Sequence, residues 1–419
     1  MTRKDIEIMA PAGSPESLEA AIAAGADAVY FGVGKLNMRA RSSVNFSVDD
    51  LPAVAQRCAE AGVRSYLTMN TVIYPDDLPA MRATVDAALQ AGIDAVIASD
   101  MSVIGYARSK GLPVHISTQV NVANQEAVAF YAQFADVMVL ARELSLPQVE
   151  EIHKAIVGQS ITGPSGKEVR LEMFVHGALC MAISGKCYLS LHTYGKSANR
   201  GACLQLCRRS YRVTDTETEN ELEIDNEYIM SPKDLCTIGF LNKLLDSGVR
   251  VLKIEGRARG PEYVHTVTSC YREAVEAWLD GTFSDEEKIS GWKERLSRVF
   301  NRGFWDGYYL GQKMGEWSHT YGSQATCRKV YIGKCTNWFS RLGVAEFVLE
   351  TGSLKTGDSV LITGATTGVA EMVVGELRLE YDPVEEVKKG DRFSLKTGVQ
   401  VHRGDRLFRW DSVSNPEDS

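Results

Sequence analysis

Short apolar runs alternate with amphipathic stretches through the first two-thirds of the chain. Ile6–Met9 is such a run, and it ends in Pro11-Ala12-Gly13-Ser14, the punctuation of a strand turning into a helix. Ser14–Ala24 follows as a helix, with Ser14 as its cap, Pro15 at the first helical position and Glu16 in the first turn, where the helix dipole favours an acid. Leu18, Ala21 and Ile22 form its apolar stripe, and Gly25 closes it. The same unit then recurs. Further strands are predicted at Ala28–Phe31, Ser65–Met69, Ala95–Ala98, Val114–Ser117, Val137–Leu140, Arg170–Val175 and Arg250–Ile254. Helices are predicted at Asp49–Ala61, Leu78–Leu89, Met101–Lys110, Glu126–Gln133, Leu146–Ala155, Leu235–Leu245 and Glu262–Leu279.

Eight strands with helices between them fit a (β/α)8 barrel of the α/β class. No G-x-G-x-x-G follows the first strand, which argues against an open doubly wound sheet. After about Gly322 the pattern becomes purely short-stranded: Lys329–Lys334, Gly343–Leu349, Ser359–Thr363, Met372–Leu379 and Asp391–Leu395, with Gly-Asp pairs at the turns. We therefore expect a barrel domain over 1–322, a small C-terminal all-β barrel over 323–411, and a disordered polar tail over 412–419. Between Asp215 and Glu227 acidic residues alternate with others, which predicts a charged surface hairpin at 213–228.

A barrel of this kind carries its chemistry at the C-terminal ends of its strands. Those ends present Asn70, Gln119, Arg142 and His176, and the run from Lys253 through Glu255 to Arg257. Asn70 and Gln119 can hold a polar substrate or cap their loops. His176 is the candidate acid or base, or a hydrogen-bonding support for the cysteines beside it. Lys253, Glu255 and Arg257 form either a salt-bridged scaffold or part of the site. His115, inside the fifth strand, reads as core.

Those cysteines are the strongest chemical signal. Nine occur in the chain, and Cys180, Cys187, Cys203 and Cys207 gather within 177–212, directly after the seventh strand, with glycines among them where the chain must bend. The chain begins without a signal-like apolar stretch and has no run of about 18 apolar residues, so a cytoplasmic, non-membrane setting is expected, where clustered thiols bind metal rather than form disulfides. Structural zinc prefers paired close knuckles. The spacing here, with only Cys203 and Cys207 close, favours a [4Fe–4S] cluster over zinc or unligated thiols. Cys236 is an alternative fourth ligand or a packing residue, and Cys58, Cys270, Cys327 and Cys335 read as buried small hydrophobes. The net charge of −8 opposes general nucleic-acid binding but leaves room for a local basic face. Arg200, Arg208, Arg209 and Arg212 supply one: they bind substrate carboxylates or RNA phosphates, or balance thiolates and the acidic hairpin. No H-E-x-x-H or G-x-S-x-G is present.

The run E-M-F-V-H-G-A-L-C-M-A-I-S-G-K-C, followed by N-R-G-A-C-x-x-x-C-R, resembles the signature of the collagenase-like U-thirty-two peptidase family. Ala10–Gly32, Leu252–Arg257 and Asn301–Phe304 extend the resemblance across the barrel. It implies either proteolysis with unassigned catalytic residues or oxygen-independent hydroxylation with a [4Fe–4S] cluster. Members of the second kind make 5-hydroxyuridine at the tRNA wobble position with prephenate, hydroxylate a ribosomal RNA cytidine, or act in ubiquinone synthesis. By position, Cys180, Cys187, Cys203 and Cys207 match the cluster cysteines of the tRNA-modifying type, with the fourth ligand leaving Cys236 in play, and the C-terminal domain resembles that type's extra domain. From the strand ends and the basic cluster, the candidate catalytic residues are His176, Glu255, Arg257, Asn70 and Gln119, and the candidate substrate-binding residues are Arg200, Arg208, Arg209, Arg142 and Lys253, for prephenate carboxylates or the phosphates of tRNA or another RNA. An electron donor is an expected partner.

Overall fold

The computed structural model describes residues 2–41, 44–211, 230–312, 315–319 and 322–413. The expected acidic hairpin, Arg212 and residues 414–419 lie outside the described residues.

Seven strands run in sequence order: β1 (Glu7–Pro11), β2 (Ala28–Gly32), β3 (Arg64–Met69), β4 (Ala95–Ala98), β5 (Val114–Ile116), β6 (Val137–Val139) and β7 (Arg170–Gly177). Then come β8 (Asp234–Cys236), β9 (Val249–Ile254) and β10 (Phe304–Trp305). Strands β1 to β7 pair in parallel with their neighbours, and β9 pairs in parallel with both β7 and β1, so eight parallel strands close the expected barrel. The helices are α1 (Pro15–Ala23), α2 (Leu51–Ala61), α3 (Leu78–Ala91), α4 (Met101–Ser109), α5 (Gln125–Tyr131), α6 (Leu146–Gln159), α7 (Leu189–Tyr194), α8 (Leu241–Asp246), α9 (Pro261–Leu279) and α10 (Glu286–Arg298).

Two features depart from the periodicity. The helix expected at Leu235–Leu245 begins only at Leu241; Asp234–Cys236 is instead a strand lying antiparallel on the end of β7, with His176 opposite Cys236. Helix α10 was not expected, because only Trp292 and Leu296 of its thirteen residues are buried and the apolar stripe is too sparse to read.

Side chains alternate across each strand. One set, including Ile8, Val29, Leu67, Val96 and Leu252, packs outward against the helices. The other set fills the barrel and includes Met9, Ala28, Tyr30, Tyr66, Ile97 and Val251. The floor of that interior is polar. Glu7 is fully buried there and takes Arg64 at 2.6 Å, Arg170 at 2.8 Å and the Tyr66 hydroxyl at 2.8 Å. One layer higher, Lys253 donates to Glu172 at 2.7 Å, and His115 packs its ring on Tyr66 with its Nδ1 unpartnered.

The C-terminal domain is antiparallel throughout. Its main sheet orders the strands Gly368–Val373, Ser359–Gly364, Arg406–Ser412, Cys327–Phe339, Val344–Leu349, Arg392–Lys396, Leu377–Leu379 and Asp382–Val384. The sheet curls around one core that includes Ile332, Phe347, Ile362, Phe393 and Leu407. The single strand expected at Met372–Leu379 is split, because Val374 turns inward and its amide bonds to the Asp358 carbonyl. The last strand continues through Ser412, one residue into the expected tail. Cys58, Cys270 and Cys335 are buried as expected, whereas Cys327 is only half-buried at the edge of its strand. The domain docks against α1 and α9, where Lys329 pairs with Glu262 at 2.8 Å, and Arg298 at the end of α10 pairs with Glu371.

Candidate active site

At its C-terminal end, β7 passes through Gly177, whose φ of +102° belongs to the left-handed region. A Cβ there would lie 2.4 Å from the Glu255 carbonyl oxygen, so glycine lets the chain leave the barrel hard against the end of β9. The segment that follows folds back over the strand ends. Gly201, at φ +74°, brings it so close to the β2 loop that a Cβ would stand 2.3 Å from the Asn37 carbonyl oxygen. Arg208 ties its end down by donating to the carbonyls of Leu179 and Pro232 and to the Ser231 hydroxyl.

A cavity of about 550 Å³ lies between this segment and the strand ends. All four clustered cysteines line it; Cys236 does not. Burial pushes the Cys207 thiol up to about 11; the charge of Arg208 opposes this, and Cys180, Cys203 and Cys187 add to the rise, which places the four sulfurs within electrostatic reach of one another. Among the described residues, no three Cys, His, Asp or Glu side chains close on a point as a single ion requires. Four thiols with no histidine among the described residues of the lining are the donor type that a cubane cluster takes, one thiolate at each iron. Cys236 is buried in the core beyond β7, beside Tyr271, and its thiol is likewise pushed up to about 11 by burial.

The lining is also cationic, and Lys186 and Arg208 come from the thiol segment itself. Arg39, Arg142, Lys186, Arg208, Lys253, Arg257, Arg259 and Arg302 line the cavity, and Glu255 is its one carboxylate among the described residues. Glu255 accepts from Arg39 at 2.8 Å. Burial would raise its carboxyl, but Arg39, Arg142 and Arg257 together hold it down to about 2. Arg257 is buried, donates to Asn37 at 3.0 Å and Thr68 at 2.9 Å, and keeps an Nε with no partner; burial lowers it to about 10. Arg142 lies 3.8 Å over the Phe174 ring, donates to the Ala178 carbonyl at 3.1 Å, and also has an unpartnered buried Nε. Asn70 donates to Gln119 at 3.3 Å and accepts from the Met38 amide at 3.2 Å, so the polar edge expected from both residues is preassembled.

Three expected site residues lie elsewhere. A β-bulge between Phe174 and His176 turns His176 out of the barrel line. It is buried among Tyr263, Tyr271 and Phe304, its basicity lowered to about 3 by burial, and it does not line the cavity. An acid–base role for His176 is thereby replaced by a packing one. Arg200 is clasped by Asp77 at 2.6 Å over the Tyr74 ring, and Arg209 meets the Tyr194 hydroxyl at 3.2 Å; both stand outside the cavity lining. Arg39, Arg259 and Arg302 were not anticipated. Arg39 and Arg259 sit in loops without periodic pattern, and Arg39 meets Glu255 across 216 positions of sequence.

The depressed Glu255 carboxyl has a measurable consequence. A carboxyl held below its unfolded value of 4.5 contributes stability that is complete above that value and lost as pH falls toward about 2. Urea midpoints of the wild type and Glu255→Gln should therefore differ most at pH 7 and converge as pH drops below 4.5. A constant gap would mean that the carboxyl is not paired in solution.

The fold and this cavity define a (β/α)8 barrel protein whose mouth is walled by a thiol-bearing insertion. The chain belongs to peptidase family U32, whose description matches residues 13–319. It is 59% identical to a protein named collagenase from Porphyromonas gingivalis, over 98% of this chain and 99% of that one. It is 32% identical to tRNA hydroxylation protein P1 of Bacillus subtilis, over 71% of this chain and 69% of that one. It is 33% identical to a 23S rRNA 5-hydroxycytidine synthase of Escherichia coli, over 74% of this chain and 46% of that one. No helix among the described residues is long and apolar enough to cross a membrane.

Proposed function

We propose that the chain is an iron–sulfur-dependent, oxygen-independent hydroxylation enzyme acting on RNA, with 5-hydroxyuridine formation at the tRNA wobble position, using prephenate, as its reaction. The observation that carries this reading is a single cavity lined by four thiols and eight cationic side chains. The names of two relatives at 32% and 33% identity support the RNA class.

Cys180, Cys187, Cys203 and Cys207 would hold a [4Fe–4S] cluster. When bound, such a cluster supplies one-electron chemistry at a potential set by its burial and hydrogen bonds. Arg142 and Arg257, both in the cavity lining, orient an anionic group of the substrate, a carboxylate or a phosphate. Glu255, ionised throughout the working pH range, fixes Arg39 at the cavity wall and takes no proton. Asn70 and Gln119 offer amide groups to a polar edge.

The second reading is peptide hydrolysis, favoured by the collagenase-named relative that spans nearly the whole chain. Hydrolysis needs a general base near neutrality. Among the described residues the cavity is lined by no histidine, and its one carboxylate is held at about 2.

Nucleoside mass spectrometry of tRNA and 23S rRNA from a strain lacking the chain tests the proposal. Loss of a hydroxylated pyrimidine nucleoside, restored by the wild-type protein, is expected. Unchanged nucleosides in both RNAs, with gelatin cleavage by the purified holoprotein, would establish the hydrolytic reading instead.

A further inference from the structure

A second hollow of about 220 Å³ lies behind the loop at 179–184. It shares that loop and Arg142 with the main cavity, so Cys180 borders both spaces. Its character is different. Trp305, Tyr308, Tyr309 and Trp317 line it together with Pro232 and Leu235. The rings converge: a methyl placed on Gly315 would stand 3.6 Å from the Tyr308 hydroxyl and 3.7 Å from the rims of both Trp305 and Trp317. Trp305 is 4% exposed, and its indole N–H is buried with no hydrogen-bond partner.

We propose that this aromatic pocket receives one unstacked nucleobase of the RNA substrate; the inference rests on the RNA reading above. The hollow is smaller than the roughly 300–1,000 Å³ of drug-sized sites, which suits one planar ring. Tyr308 and Trp317, both half-buried, offer aromatic faces on which any base stacks. The cationic cavity next door takes the attached phosphates, with Arg142 at the divide. An aromatic peptide side chain would fit the rings, but it brings no anionic backbone to match the charged wall beside it.

The test is equilibrium binding of a ten-nucleotide oligouridylate to anaerobically prepared holoprotein, compared with the same oligomer carrying one central abasic nucleotide. Stacking is worth about 1–3 kcal/mol per base. Tyr308→Ala should therefore weaken binding of the intact oligomer about tenfold, leave the salt dependence unchanged, and bind both oligomers alike. Trp317→Leu keeps an apolar side chain at a half-buried position and removes the second ring face, so it should also weaken binding of the intact oligomer without loss of folding. Tight wild-type binding that neither variant alters would overturn the pocket while leaving the RNA reading intact. Failure of the wild type to bind any oligomer would remove the RNA reading itself. Loss in Tyr308→Ala of affinity for a phenylalanine-containing collagen peptide, with no change for RNA, would assign the pocket to peptide.

Discussion

Cys207→Ser holoprotein is expected to retain less than about a tenth of the wild-type iron and to lose hydroxylation, whereas Cys236→Ala keeps both. The difference follows from position. Cys207 shares a cavity with three other thiols, and Cys236 is sealed behind β7 beside Tyr271. Removing the Cys236 sulfur empties a small core volume and costs about 1–2 kcal/mol of stability, which thermal unfolding will register without touching the iron. Iron and sulfide determination on anaerobically purified protein, normalised to folded protein, decides the point. Full iron in Cys207→Ser together with iron loss in Cys236→Ala would place the fourth ligand at β8. Full iron in both would show that no cluster depends on either thiol.

The second large effect is on stability. Lys253→Met leaves Glu172, whose side chain is fully buried inside the barrel, without its cation. Breaking such a pair costs about 3–5 kcal/mol, because the remaining charge has nowhere to go. Burial already raises the Glu172 carboxyl above its usual range, so the penalty should be smaller at pH 5, where the group is more readily held neutral, than at pH 8. Lys253→Met with Glu172→Leu replaces both charges by apolar groups and should recover most of the loss. Urea unfolding at the two pH values measures all three. Equal stability of Lys253→Met and wild type at pH 8 would mean that water reaches the barrel interior.

The barrel was legible because its strands are buried on both faces and read as short apolar runs such as Ala95–Ala98. The four thiols were legible because they cluster in one insertion. What the chain conceals is long-range or local in a misleading way. Leu235, Ile238, Leu241 and Leu245 recur at helical spacing, yet Leu235 belongs to a three-residue strand fixed by its pairing with β7. Counting along β7 puts His176 on the same face as Glu172 and Phe174; one extra residue at a bulge reverses that, and nothing in the local composition announces it. The cationic wall is assembled from β2, β6, β7 and β9 ends and from the Phe300–Arg302 turn, segments whose proximity only closure of the barrel creates.

A chain with a net charge of −8 keeps, among the described residues, a vestibule lined by eight positive side chains and one negative. For an anion that reaches the vestibule, low-dielectric walls concentrate the attraction. Capture rates should then decline steeply as ionic strength rises, even though the molecule as a whole would migrate as an acid.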